Sequence, residues 1–415
     1  MHSDSDRVRL YLIFFVLLLI LLSSCTPLTK TTETEPVPTV RVLLAELKNP
    51  SEIELTGRYY LYSEEARYEF DTRNSKFSVN PHQNGIQLVN SNRNLLFKDH
   101  FPVKLKPAAA KSHFIYNGHE FAGSIYLDHG SDSSVLLINA LPLNEYLRGV
   151  VPAEIPSLKP DQYQAVKAQA ICARTYAVQR MSASKDKPFD VYGSISDQAY
   201  AGHDRHTSFA NQAVNETRGM ILTFAAEPAV IYYHSTCGGK LEAVTEVWPD
   251  QNVPYLSAGI DAVSDLFSCI ASPYFRWTEH KTLTELDSSF NQLFKRSLLE
   301  EPITDTTHAS WHMRVTERSQ SGRVQALEIG YADTTVSLSD YQIRRFFAPK
   351  GKTYLPSTLF YFTQPDDSTV VIHGAGNGHG VGMCQYGALN MSNRGFQYFH
   401  ILAKYFPNTI LTRYY

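Results

Sequence analysis

Between Gln164 and Ala177 the chain reads Gln164-Ala165-Val166-Lys167-Ala168-Gln169-Ala170-Ile171-Cys172-Ala173-Arg174-Thr175-Tyr176-Ala177. Alanine gives this stretch high helix propensity, and its apolar residues fall on every side rather than on one stripe. A helix of that kind is stable only when other elements cover it all round. Pro160 suits its first turn and Asp161 complements its positive end, so the helix is predicted from about Pro160 to Met181. Small side chains let neighbouring backbone approach closely. Lys167, Gln169 and Arg174 are the polar exceptions, with Lys167 and Arg174 seven residues apart and so on roughly one face. Lys167 fits a snorkelling position at a rim, whereas Arg174 sits deep in the segment.

The text before this helix is of another kind. From Val40 to Asn139 short runs such as Arg41–Leu44, Gly57–Tyr62, Gly85–Val89, Ser124–Leu127 and Val135–Ile138 alternate with Asn, Ser, Gly and Pro. They predict a β-rich N-terminal domain over 40–139. The fold class expected is α+β, with a mixed α/β domain over 140–415 built around the alanine-rich helix. Hydrophobic residues at 43% and charged residues at 19% support a folded body of this length. Lys plus Arg 38 against Asp plus Glu 41 gives −3, without the basic excess that duplex nucleic-acid binding requires.

At the N-terminus Arg7 and Arg9 precede the apolar run Leu10–Leu22, which is too short for a spanning helix of about 20 residues and suits a signal peptide. It ends in Leu22-Ser23-Ser24-Cys25, which is similar to a bacterial lipobox and predicts lipidation at Cys25 after removal of residues 1–24. Residues 25–39, rich in Thr, Pro and Glu, read as a flexible spacer from the membrane. The expected location is extracytoplasmic, and disulfides are permitted there.

Three further segments carry chemistry. Glu154 lies in Val150-Val151-Pro152-Ala153-Glu154-Ile155-Pro156, flanked by apolar residues and stiffened by two prolines. Desolvation there raises a carboxyl pKa and favours the protonated form that a general acid needs. Gly374-Ala375-Gly376-Asn377-Gly378-His379-Gly380-Val381-Gly382-Met383-Cys384-Gln385-Tyr386-Gly387-Ala388 contains no GxGxxG, so a dinucleotide loop is excluded; Gly351-Lys352-Thr353 lacks the upstream glycine of a phosphate loop, since Phe346 stands there. What remains is glycine-rich backbone around one imidazole, His379. His234, Cys237 and Cys269 are candidate zinc ligands at irregular spacing. A Cys237–Cys269 disulfide is the preferred alternative.

Read in order, these segments resemble the SpoIID/LytB family. The resemblance rests on Asn144–Pro156, Ala165–Ala170, Ala173–Ala177, Gln198-Ala199-Tyr200-Ala201-Gly202, Thr217-Arg218-Gly219, Tyr233-His234-Ser235 with Gly238-Gly239, and Gly378–Met383 with Gln385–Ala388. It covers about Leu141 to Tyr415, with about 281–356 as an elaboration. Ile155, Cys172, Asp197 and Cys384 depart from the family's usual residues. The resemblance implies a peptidoglycan lytic transglycosylase acting on peptide-stripped glycan strands, with Glu154, the glutamate of the Glu-X-Pro motif, as catalytic residue. It implies cleavage between N-acetylmuramic acid and N-acetylglucosamine, and no required cofactor. Arg174, Tyr176, Gln198, Tyr200, His379 and Gln385 are the expected substrate-binding and positioning residues. Other family members enhance N-acetylmuramoyl-L-alanine amidases, so a glycan-binding partner of a cell-wall amidase is the alternative implied.

Overall fold

The structure is a computed structural model that describes residues 36–64, 67–70, 75–82, 85–155, 159–295, 312–331, 334–366 and 368–415. The signal peptide, Cys25 and most of the spacer lie outside the described residues. No helix among the described residues is long and apolar enough to cross a membrane.

The architecture is α+β. Thirteen strands form two antiparallel-dominated sheets in the first part of the chain, with one late strand joining the edge. One sheet runs Val191–Tyr192, Thr39–Leu47, Val135–Pro142, Ser124–His129, Val103–Pro107, Tyr59–Tyr62, Arg67–Phe70; the other runs His119–Ala122, His113–Tyr116, Ser51–Thr56, Lys76–His82, Gly85–Asn90, Leu95–His100. Alternate residues of these strands meet in one apolar cluster: Ile53 and Leu55, Phe77 and Val79, Ile86 and Leu88, Val103 and Leu105, Ile125 and Leu127. This is the period-two burial of a pleated strand. Four of the five β-like runs read from the sequence fall within these strands, and of Gly57–Tyr62 the part Tyr59–Tyr62 does.

Strands Thr39–Leu47 and Val135–Pro142 are a shared wall. They pair antiparallel, with Val40 opposite Leu141 and Val42 opposite Asn139. Val135 and Leu137 belong to the β cluster, while Val40, Val42 and Leu141 belong to a second cluster built on helices. Asn139 is buried within this wall and donates to the carbonyls of Ala122 (2.8 Å) and Ser124 (3.3 Å).

The chain leaves the wall directly into helix α1, Leu143–Glu154, and then enters α2, Tyr163–Ala183. α2 is the helix expected from the alanines, displaced by one short 3₁₀ turn, Pro160–Gln162. Ala165, Ala168, Ala170, Ala173 and Ala177 are all fully buried. α2 packs against α1, against α3 (Ser208–Glu216), against strand Met220–Phe224, and against two later helices, Gln385–Asn393 and Tyr398–Tyr405. A third apolar cluster lies farther along the chain. Two three-stranded sheets and the helices Leu283–Phe294 and Asp340–Phe346 contribute to it, through Leu286, Phe290, Leu327, Phe346, Phe347, Val370 and Ile372 among others.

Arg174 has no solvent exposure. Its guanidinium donates to the Tyr415 hydroxyl (3.2 Å), Thr217 Oγ1 (3.3 Å) and the carbonyls of Met220 (3.3 Å) and Val214 (3.1 Å). Tyr415 in turn donates to Asn144 Oδ1 (2.7 Å) on α1. One cation therefore joins α2 to α3, to strand Met220–Phe224 and to the C-terminal segment. A buried charge without these acceptors is strongly unfavourable. Arg174→Ala removes the donors, strands the acceptors and opens a cavity, so it should lower the unfolding free energy by roughly 3 kcal/mol or more. Urea titration followed by circular dichroism measures this; an unchanged midpoint would contradict the role.

Candidate active site

Glu154 is the last residue of α1. Pro152 lies within the final turn, and Ile155 closes the helix by donating to the Val151 carbonyl (3.1 Å). A helix C-terminus carries partial negative charge and disfavours a nearby carboxylate. Burial pushes the Glu154 carboxyl above its ordinary pKa of 4.5, and hydrogen bonds from Ala199 N–H and the Gln385 side chain pull it partly back. The Ala199 bond to Oε1 is 2.6 Å. Glu154 is thus a desolvated acid held at one oxygen by backbone and approached by one amide.

The cleft that Glu154 lines has a volume of about 550 Å³. Tyr176 from α2, Asp197, Tyr232, Trp248, His379 and Gln385 are among its walls. The Tyr232 and Trp248 rings stack at 4.2 Å with an interplanar angle of 15°. Trp248 also meets His379 edge to face at 5.2 Å. A flat aromatic wall beside a polar floor suits a sugar ring, which presents apolar C–H faces and polar edges.

The second carboxylate of the cleft is already engaged. Asp197 receives hydrogen bonds from the Tyr192 amide (2.7 Å) and the Tyr176 hydroxyl, and pairs with Arg180 at 3.0 Å. These bonds fix the loop after strand Val191–Tyr192 rather than leaving Asp197 as a free acid. Glu145, by contrast, pairs with Arg148 one turn along α1, and Arg148 reaches on to Asn215 Oδ1 (3.0 Å).

His379 is held as a neutral ring. Burial, and then the Arg323 guanidinium, push it down to about 4. Its Nδ1 accepts from the Val381 amide (3.0 Å), so the proton of the neutral ring resides on Nε2. His379 therefore lines the cleft with its Nδ1 held by main chain. Gly382, at φ 72°, allows the following turn: a Cβ there would lie 2.1 Å from the Tyr232 carbonyl oxygen.

Among the expected substrate contacts, Tyr176, His379 and Gln385 line the cleft. Gln198 is fully buried beneath it, accepting from Tyr146 OH (3.1 Å) and donating to Tyr233 OH (2.8 Å). Its neighbour Ala199 supplies the amide to Glu154, so Gln198 positions that loop from behind. Arg174 is fully buried and Tyr200 half-buried, and neither is among the residues that line the cleft. The Arg174 donors are bound as described above, and Tyr200 donates to Asn139 Oδ1 (2.8 Å) while packing on Tyr146 at 5.0 Å. Gly149 makes that packing possible, because a Cβ there would meet the Gly202 carbonyl at 2.6 Å and the Tyr200 ring at 2.7 Å. Tyr232 and Trp248, absent from the expected set, are brought together from segments without hydrophobic periodicity.

Cys237 and Cys269 are free thiols with sulfurs 3.4 Å apart. His234 does not join them: its Nδ1 bonds the Val381 carbonyl (3.1 Å) and its ring faces His379 at 5.4 Å.

The raised pKa of Glu154 has a consequence for stability. An acid whose folded pKa exceeds its unfolded value contributes fully below the unfolded value of 4.5, and that contribution is lost as pH rises through the folded pKa. Glu154→Gln keeps the shape and can still accept from Ala199. It should unfold at the same or higher temperature than wild type at pH 8, with the gain fading as pH falls to 4.5. Thermal melts across this range check it; a gain that grows toward acid would refute the desolvated-acid assignment.

Comparison with known proteins follows the same segments. The family model described as Stage II sporulation protein (SpoIID) matches residues 131–224, and one described as a domain of unknown function (DUF8618) matches residues 242–382. An uncharacterized protein of Brachyspira hyodysenteriae is 27% identical over 380 residues, 90% of this chain and 93% of its own length. The amidase enhancer of Bacillus subtilis is 29% identical over 302 residues, covering 65% of this chain but only 40% of the relative. Stage II sporulation protein D of Bacillus subtilis is 26% identical over 290 residues, 66% of this chain and 75% of the relative. The segment matched by the Stage II sporulation protein model spans α1 with Glu154, all of α2 and the Gln198–Gly202 loop, so the part of this chain that builds the cleft around Glu154 is similar to that family.

Proposed function

We propose that this chain is a cell-envelope lytic transglycosylase that cleaves peptide-stripped peptidoglycan glycan between N-acetylmuramic acid and N-acetylglucosamine. The observation that carries the reading is Glu154: a half-buried carboxyl with raised pKa, at the end of α1, lining an aromatic-walled cleft of about 550 Å³. Ordinary glycosidases use two working carboxyl groups. Here the second carboxylate, Asp197, is bound by Tyr192, Tyr176 and Arg180. One carboxyl group suffices for transglycosylation. Glu154 donates its proton to the glycosidic oxygen as the bond to C1 breaks. The same carboxylate then accepts the proton of the muramyl C6 hydroxyl, whose oxygen attacks C1 and closes a 1,6-anhydro ring. Glu154 ends protonated, ready for the next bond. The Tyr232–Trp248 wall is assigned to sugar stacking, and Gln385 to orienting Glu154. Lipidation at Cys25 would tether the enzyme to the envelope.

The relative named amidase enhancer supports a second reading, in which the cleft holds glycan for a partner amidase without cutting it.

Denuded glycan incubated with purified protein and examined by mass spectrometry distinguishes the two. Wild type should release products with 1,6-anhydromuramyl ends. Glu154→Gln should still bind glycan and lose roughly 10²–10⁴ in rate or more, since one group serves both steps. Glu145→Gln should retain most activity. The rate should fall as pH rises through the Glu154 pKa, because the donor form is lost. Equal cleavage by Glu154→Gln would sink the mechanism. An inactive wild type that stimulates an added amidase would establish the enhancer instead. For the tether, Cys25→Ser should leave the membrane fraction or stay unprocessed; wild-type fractionation of that variant would exclude lipidation.

A further inference from the structure

Behind the cleft floor, four side chains converge that the proposed reaction does not use. We propose that Cys237, Asp261, Cys269 and Cys384 form a structural zinc site. Their ligand atoms all lie within 4.8 Å of one another, and all four residues have no solvent exposure. Cys237 Sγ is 3.4 Å from Cys269 Sγ and 3.1 Å from Asp261 Oδ2. At a Zn–S distance of about 2.3 Å, two sulfurs on a tetrahedral ion stand about 3.8 Å apart. The Cys237–Cys269 pair is thus a few tenths of an ångström tighter than across a filled tetrahedron, and the four ligand atoms all lie within 4.8 Å of one another.

The surroundings match a thiolate centre. Backbone amides point at sulfur: Cys237 N–H at Cys384 Sγ (3.3 Å), Gly239 N–H at Cys237 Sγ (3.3 Å) and Gly387 N–H at Cys384 Sγ (3.4 Å). Such second-layer donors stabilise negative sulfur and orient it. Three thiolates and a carboxylate on a divalent ion leave an excess of negative charge. Lys404 Nζ stands 3.2 Å from Asp261 Oδ1, and the buried Arg323 donates to the Cys237 carbonyl (3.0 Å). Tyr405 OH also bonds Asp261 Oδ2 (3.1 Å). Three soft sulfurs and one oxygen, closed from solvent, select zinc in a structural rather than catalytic role.

The ligands come from three distant segments, which says what the ion does. Cys237 follows His234-Ser235 of the cleft wall, and Cys384 precedes Gln385, which bonds Glu154. Strand Tyr233–His234, three residues before Cys237, pairs in parallel with Met383–Cys384, His234 opposite Cys384. Asp261 and Cys269 flank the hairpin Ala262–Val263 with Leu266–Phe267. Zinc would bind these three pieces together and fix the floor on which the cleft is built.

The competing arrangement is a Cys237–Cys269 disulfide, which leaves Cys384 idle, so Cys384→Ser separates the two. Full-length protein purified without chelator should carry about one zinc per chain by plasma mass spectrometry. Replacement by Co²⁺ should give thiolate charge-transfer bands and the intense visible bands of a tetrahedral ion. Cys384→Ser should weaken zinc binding at least about tenfold. If that variant does not fold, the cobalt spectrum of wild type decides alone. Reduced wild type that takes up no zinc or cobalt, peptide mapping that finds Cys237 and Cys269 linked in most molecules, or unchanged zinc affinity in Cys384→Ser would each overturn the proposal.

Discussion

Helix α2 has no face it can show to water, and covering it dictates the rest of the second half of the chain. Its alanines bury little apolar area each, so the stabilisation must come from close approach on many sides rather than from large side chains. α1, α3, strand Met220–Phe224 and the two C-terminal helices supply those sides. Arg174 makes the arrangement specific. A guanidinium has five donors in a fixed plane, and four of its partners here come from outside α2. Those elements must therefore arrive at defined positions, not merely nearby. The same packing presents Tyr176 and Gln169 on the side of α2 nearest the cleft, where Gln169 accepts from Gln385 (3.5 Å).

The cleft shows three ways of fixing a titratable group. Burial raises the Glu154 pKa above its ordinary value, with one short backbone bond from Ala199 to hold the carboxyl. Asp197 is surrounded by donors and locks a loop. His379 is neutral because burial and the Arg323 charge expel its proton, and the Val381 amide occupies its Nδ1. Only the first leaves a group that can still exchange a proton at an open oxygen. That contrast is why the chemistry is assigned to one residue among several polar ones.

Glu154 and α2 were legible in the sequence because both depend on local composition: prolines and apolar neighbours around one carboxyl, alanine over several turns. The strands of the β cluster were legible through their period of two. Arg174 was not, because a cation inside an apolar helix has the same sequence signature whether it faces a ligand or a set of carbonyls. Tyr200 carries no sequence signal of its partner for a similar reason, since its hydroxyl donates to Asn139, which lies 61 positions away. Tyr232 and Trp248 left no periodic signal; a four-residue helix, Val244–Val247, turns the chain so that their rings stack. The two-residue strands Tyr233–His234 and Met383–Cys384 are too short to announce themselves and exist only through their pairing with each other.

That short pairing links the two halves of the site most directly. Its register sets His234 beside Cys384, which places Gln385 one residue beyond the pair and within reach of Glu154. Two residues of parallel ladder contribute little by themselves. The turns on either side are glycine-rich and have intrinsic freedom to move. Precision at Gln385 must therefore be imposed from outside the ladder. Arg323, the His379 Nδ1 bond and the Cys237–Asp261–Cys269–Cys384 cluster all act on these two segments. The acid is thus set by α1, while the amide that orients it is set by a separate buried polar assembly.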